Sequence, residues 1–169
     1  HVDRIRIMAS GYRVRSIGPI APIGWVRANV EHAVTVMDPA KLQIGVPTYG
    51  RARTRTKAGG GYRLSGVCPS KNGSASERRA YRSATSMAAV TAAKIPALLQ
   101  RYGLTEADVR WDPVRQESSF RYTKNVDWTD SSGTPQTCQA KRQVNFVGPD
   151  GVLARTQLVG QYGLNAAAL

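Results

Sequence analysis

Hydrophobic positions along the chain alternate between two periods. Val2 to Ala9 is short, rich in Ile and Met, and reads as a strand that runs into Ser10, Gly11 and the loop Ser16–Pro22. From Trp25 to Met37, the apolar residues Val26, Val30, Ala33, Val34 and Met37 recur three or four apart, which makes one helical stripe, and Asp38-Pro39 ends it. Lys41 to Pro47 supplies Leu42, Ile44 and Val46 at alternate positions, then stops at the turn-like Thr48-Tyr49-Gly50. Strand, helix and strand in this order predict a βαβ unit with parallel strands and a right-handed crossover.

The pattern then loses its regularity. Arg51 to Arg82 is basic, carries Gly and Ser, and shows no hydrophobic period, so it reads as a long excursion with a hairpin near Tyr62 to Val67. Ser86 to Tyr102 reads as helical through Met87, Val90, Leu98 and Leu99, broken into two pieces by Pro96 and stopped by Gly103. Val109 to Asp112, Ser119 to Thr123 and Gln143 to Val147 are candidate strands, with the polar stretch Asp127 to Gln139 dividing them. Together they suggest a small antiparallel element set into an α/β pattern.

Helical spacing returns from Asp150 to Tyr162, with Val152, Thr156, Val159 and Tyr162 near one face and Gly163 as C-cap. Asn165 to Leu169 enters a further apolar strand. Three strands with covering helices leave both sheet edges open, and a parallel sheet is not buried that way. The expectation is a piece of a larger sheet. The start at His1, without Met or a leader-like segment, fits processing or truncation.

Composition narrows the classes. At 169 residues the chain can bury one sizeable core. Its 24 Lys and Arg against 11 Asp and Glu give a net charge of +13, which favours polyanionic neighbours. Arg51, Arg53, Arg55 and Lys57 would share one face of an extended backbone, able to follow a line of phosphates or carboxylates; the plainer reading is a solvated basic loop. Nucleic acid is disfavoured, because the basic residues lack a recognition helix or interleaved aromatic platforms. No apolar run approaches the roughly 20 residues of a membrane helix.

Candidate chemistry is sparse. Gly59-Gly60-Gly61 lacks the Lys-Ser or Lys-Thr of a phosphate loop, and neither His1 nor His32 accompanies a nucleophile turn. Cys68 and Cys138 have no zinc-type spacing, so neither a metal site nor a cofactor is expected. Joined, they would close a loop of about 70 residues and stabilise the fold by roughly 4 kcal/mol in an oxidising compartment. Left apart, they are two ordinary thiols.

Several segments carry a family resemblance. Val2-Asp3-x-Ile5-x-x-Met8, Gly18-Pro19-Ile20-Ala21-Pro22-x-x-Trp25-Val26 and Lys41-x-x-Ile44-Gly45-Val46-Pro47-x-Tyr49-Gly50-Arg51 follow in the order and spacing of family 18 glycoside hydrolases. Trp111-Asp112, Phe120-x-Tyr122 and Leu158-Val159-x-x-Tyr162-Gly163-Leu164 extend the likeness over nearly the whole chain, weakest between Thr54 and Arg82. The chain most resembles the bacterial spore-cortex and cell-wall hydrolases and the chitinases of that family. The implied fold is α/β, a partial (β/α)8 TIM barrel comprising strands six to eight. A small α+β insertion at about 52–143 would interrupt residues 1–169 of the catalytic barrel's C-terminal part.

The resemblance implies a substrate-assisted, retaining cleavage of β-linked N-acetylglucosamine polymers, peptidoglycan or chitin, outside the cytoplasm or in the cell envelope. In that mechanism a Glu acts as general acid while the sugar's N-acetyl oxygen attacks the anomeric carbon. That Glu ends an Asp-x-x-Asp-x-Asp-x-Glu motif on strand four, and no acidic residue here shows that spacing, so no catalytic residue is assigned and this stretch alone is expected to be inactive. Family members often place Tyr-Asp shortly after the strand-six Met to hold the acetamido group, whereas Met8 is followed by Ala9-Ser10-Gly11, with Tyr12 a substitute out of register. Losing two such partners would weaken transition-state binding.

Active sites of this barrel lie at the C-terminal ends of its strands, which makes Met8, Tyr12, Tyr49 and Arg51 the substrate-contact candidates. The plainer alternatives are interior packing for Met8 and Tyr49 and an acidic partner for Arg51. Two other readings stand beside the hydrolase: an inactive glycan-binding relative on the same scaffold, and a basic module that holds anionic cell-wall polymer through Arg51 to Arg82.

Overall fold

The computed structural model describes residues 3–14 and 16–169; Val2, which opens the first expected strand, lies outside them. Strand β1 is Ile5–Ile7, helix α1 is Ile23–Val36 and strand β2 is Leu42–Gly45. A 3-10 turn at Pro39–Lys41 joins the last two, with Asp38 accepting a hydrogen bond from the Ala40 amide as its cap. The last strand of this layer, Ala166–Ala168, pairs on the other side of β2, and all the pairing is parallel, so the sheet order is β1, β2, then the C-terminal strand.

Between β2 and the C-terminal helix the chain builds a second, antiparallel sheet. Its strands are β3 Tyr49–Thr54, β4 Leu64–Gly66, β5 Ala88–Thr91, β6 Arg110–Asp112, β7 Glu117–Thr129 and β8 Pro135–Phe146, in the order β5-β3-β8-β7-β6 with β4 beside β8. The C-terminal strand is therefore β9. Helices α2 (Ala75–Thr85) and α3 (Ile95–Arg101) cover one face of this sheet, and α4 (Pro149–Tyr162) returns the chain to the parallel layer. Gly163 ends α4 at φ 64°, a left-handed position that a glycine adopts without a Cβ clash.

Two cores result. Val26 and Val30 of α1, Leu42 and Ile44 of β2, and Leu158 of α4 pack the parallel layer. On the second sheet, period 2 sends Phe120, Val144 and Phe146 towards Ile95 and Leu99 of α3, while Val126 and Ala140 meet Ala80 and Ala84 of α2.

The middle of the chain departs from the sequence expectations in three places. The excursion Arg51 to Arg82 contains most of β3, all of β4 and most of α2, and Tyr49-Gly50, expected in a turn, open β3. Its helix signal is the capping box: Ser74 Oγ accepts from the Glu77 amide and Glu77 accepts from the Ser74 amide. The buried stripe is only Ala80 and Ala84, too weakly hydrophobic to register as a period. Met87 to Thr91 is not helical, because β5 pairs with β3 and tertiary pairing overrides the helix propensity of alanine.

The polar stretch Asp127 to Gln139 divides β7 from β8 only through the turn at 130–134 and is otherwise strand. It is the end of one long hairpin, in which β7 and β8 stay in register from Ser118↔Phe146 to Thr129↔Pro135. Asp130 closes the turn by accepting from the amides of Ser132 and Thr134, and Gly133 takes φ 84°. The expected hairpin near Tyr62 begins earlier, at Thr56↔Tyr62 around Gly59–Gly61, and β4 then joins β8. A disulfide joins Cys68 to Cys138, fastening the loop after β4 to the start of β8.

Candidate functional site

The C-terminal ends of β1 and β2 lead directly into the residues singled out from the sequence. Met8 follows β1 and is exposed, and Gly45 ends β2 beneath it. A Cβ on Gly45 would lie 3.2 Å from Met8 Sδ and 3.3 Å from the Ile7 carbonyl, so a side chain there would press on both by a few tenths of an ångström. With Ser10, Tyr49, Ala168 and Leu169 they line a cavity of about 200 Å³ across the ends of all three parallel strands.

Tyr49, half-buried at the start of β3, donates its hydroxyl to the Ser10 carbonyl at 2.9 Å. Arg51 stands two residues on, on the same face of the strand, with its guanidinium 5.7 Å from the Tyr49 ring centroid. Its Nη2 reaches the Tyr49 hydroxyl at 3.5 Å and its Nη1 the Arg13 carbonyl at 3.3 Å. Among the described residues the ion pairs are Arg115–Asp112 and Arg155–Glu117, so Arg51 is held by an aromatic face and a carbonyl rather than by a carboxylate.

Tyr12 is placed elsewhere. Its ring rests against Trp25 with centroids 5.5 Å apart, and its amide donates to the Ile20 carbonyl. It borders a neighbouring cleft of about 420 Å³ together with Arg13, Asp112, Arg115, Glu117 and Asn145. The structure thus sets Met8 and Tyr49 on one mouth, packs Arg51 against Tyr49 outside its lining, and places Tyr12 in the other cleft.

Sequence reasoning missed the residue pair that anchors this region. Glu117, 3% exposed, accepts from the amides of Ile20 at 2.8 Å and Ala21 at 2.6 Å. Arg155 of α4 is fully buried beside it, donates to the carbonyls of Ala21, Gln116 and Gly151, and lies 3.5 Å from the Glu117 carboxylate. Burial pushes the Glu117 carboxyl above its usual range against the pull of the two amides, and burial likewise lowers Arg155. The only available signal was an Arg within an apolar helical stretch, which ordinarily reads as an exposed side chain.

Asp112, by contrast, is held below the usual carboxylate range, first by hydrogen bonds from the Arg115 amide and guanidinium. Among the described residues no group of three His, Cys, Asp or Glu is placed to hold a metal ion. No described helix is long and apolar enough to cross a membrane.

Neither a known family pattern nor a curated protein matches the chain by sequence. Solved structures do match in fold. The spore cortex-lytic enzyme SleL of Bacillus megaterium QM B1551 superposes with a TM-score of 0.63 at 20% identity, covering 98% of this chain and 29% of the enzyme. A chitinase from Chromobacterium violaceum ATCC 12472 gives 0.63 at 20% identity over 98% of this chain and 39% of its own. The family GH18 chitinase of Cycas revoluta, solved with allosamidin, gives 0.56 at 14% identity over 98% and 41%. The class the fold defines is therefore the α/β architecture of chitinase-like proteins. Within it, the chain spans 29 to 41% of the length of these three structures.

Proposed function

We propose that the chain is the C-terminal part of a family-18-like glycoside hydrolase barrel, supplying strands six to eight and one wall of a groove for β-linked N-acetylglucosamine polymers. On this reading residues 1–169 belong to the catalytic barrel, with the segment at about 52–143 as its α+β insertion. The observation that carries the reading is the placement of Met8 and Tyr49 on the cavity at the ends of three parallel strands, with Arg51 packed on the Tyr49 ring, where barrels of this kind hold their substrates. The likeness to a spore cortex-lytic enzyme and to chitinases, one of them solved with allosamidin, supports it.

Within that groove Met8 and Tyr49 would contact the sugar ring and Arg51 would orient Tyr49. Tyr12 would meet the glycan further along, in the adjoining cleft. The general acid would come from outside these residues, because Asp-x-x-Asp-x-Asp-x-Glu does not occur in them. The whole protein would then act by substrate-assisted retaining hydrolysis, at the cell envelope or outside the cell.

A second reading is a catalytically inactive glycan-binding protein on the same scaffold. It is favoured by Ala9-Ser10-Gly11: Ala9 is buried, and the Ser10 carbonyl is occupied by Tyr49. No side chain of that tripeptide stands where a Tyr and an Asp would hold an acetamido group.

One experiment separates the two. The full-length protein is tested for turnover of a chromogenic N-acetylglucosaminide and for binding of chito-oligosaccharide, with Tyr49→Ala as the control. Turnover that Tyr49→Ala reduces supports the hydrolase. Binding without turnover, lost in Tyr49→Ala, supports the glycan binder. Neither turnover nor binding overturns both.

A further inference from the structure

The second sheet has one covered face and one open face. Even-numbered positions of β7 and β8 point to α2 and α3, so odd-numbered positions form the opposite face. Register places Arg53 beside Gln143 and Gln143 beside Arg121. One step along, Arg55 and Arg63 flank Lys141 through backbone hydrogen bonds, and Lys141 faces Thr123. Strands β3, β7 and β8, with the residues just past β3 and just before β4, thus bring Arg51, Arg53, Arg55, Arg63, Arg121 and Lys141 onto one surface, although they are scattered over the sequence.

These cations lack acidic partners. The two ion pairs among the described residues involve none of them. Glu117, at one end of the face, is turned into the joint with Arg155, and Asp127, at the other, accepts from Thr137. Arg51 and Arg53 are tethered to the carbonyls of Arg13 and Val14, and Arg53 Nε is buried without a partner. Arg63, Arg121 and Lys141 are exposed and Arg55 is half-buried, and burial together with repulsion from Arg121 and Arg63 lowers Arg55. Like charges gathered on one face repel, and a bound polyanion would relieve the field they share.

We propose that this face binds the carboxylate groups of an anionic polysaccharide strand that leads out of the Tyr49 mouth; the proposal rests on the glycan-groove reading above. Arginines alternate along β3 every ~6.8 Å, a ladder for repeated anionic groups. The amides and hydroxyls between them, Gln143, Asn145, Ser119 and Thr123, can bond sugar hydroxyls. Tyr49 at the mouth is the one aromatic residue at the odd positions of β3, β7 and β8, so the face lacks the succession of stacking platforms that holds single-stranded nucleic acid. Continuity with the mouth is direct, because Arg51 touches Tyr49. Four of the six cations thus come from the Arg51 to Arg82 stretch that composition singled out, and β7 and β8 add Arg121 and Lys141 to the same face.

The test compares the full protein with its Arg55→Gln/Arg121→Gln/Lys141→Gln variant, after thermal melts establish that both are folded. Each is titrated with carboxymethyl-chitin, with neutral chito-oligosaccharide and with single-stranded DNA at low and high salt. The expected result is a loss of about tenfold or more in carboxymethyl-chitin affinity, steeper salt dependence in the parent than in the variant, and unchanged binding of the neutral oligomer. Equal carboxymethyl-chitin affinity in the two proteins overturns the proposal, as does DNA binding of equal strength that the same variant abolishes. If the neutral oligomer binds neither protein while the carboxylated polymer still depends on the three side chains, the groove reading fails and the basic face stands.

Discussion

Arg155 of α4 lies 3.5 Å from the carboxylate of Glu117 at the head of β7, and both are almost completely removed from solvent. The pair sits where three parts of the chain meet: the loop after β1, the antiparallel sheet and the helix that returns to the parallel layer. Glu117 binds that loop through its amides and Arg155 through a carbonyl, so the orientation of the second sheet relative to the mouth depends on them.

Replacing Arg155 by Ala removes donors from the Ala21, Gln116 and Gly151 carbonyls and leaves the Glu117 carboxylate buried without its cation. The expected loss of stability at neutral pH is about 3–5 kcal/mol. Urea denaturation of the two proteins measures it, and a loss under 1 kcal/mol would contradict the role given to the pair.

Glu117 also predicts a pH dependence. Burial raises its folded-state carboxyl above the ordinary 4.5, so in the interval above 4.5 the native state holds a proton that the unfolded state has released. Its contribution is therefore fully present below 4.5 and declines as pH rises through the folded value. The stability difference between the parent and Glu117→Gln, followed by denaturation from acid to neutral pH, should fall with rising pH. A difference that rises instead would reverse the assignment.

Gly50 is a packing constraint. A Cβ there would come within 2.7 Å of Phe146 Cβ and 2.9 Å of the Asn145 carbonyl, across the β3–β8 pair. Gly50→Ala must spread those strands, at a cost of about 1–3 kcal/mol. Because Arg51 and Tyr49 adjoin this point, the substitution should also lower glycan affinity, which titration with chito-oligosaccharide would reveal.

The bond between Cys68 and Cys138 closes a loop of 70 residues. Cys68→Ser/Cys138→Ser should destabilise the protein by roughly 4 kcal/mol on the chain-entropy model. Equal denaturation midpoints for the parent and the double variant would show that the unfolded chain is not constrained by the link.

The sequence by itself determined the elements that hydrophobic period can write. Val26, Val30, Ala33 and Val34 mark α1, Leu42 and Ile44 mark β2, and the stretch ending at Gly163 marks α4, because each buries a regular face against its neighbour. It also placed Met8 just after a strand, whereas Tyr49 and Arg51, expected in a turn and an irregular excursion, lie within β3. What only the tertiary structure decided lies between residues 49 and 146. There α2 buries little more than two alanines, β5 is alanine-rich, and the long hairpin is polar on one face, so local pattern is weak and pairing partners settle the outcome. Tertiary structure also turned Arg155 and Glu117 inward, where a charge is tolerated only because partners distant in sequence satisfy it. It assembled the basic face in the same way, from strands whose order in space no local reading of the chain contains.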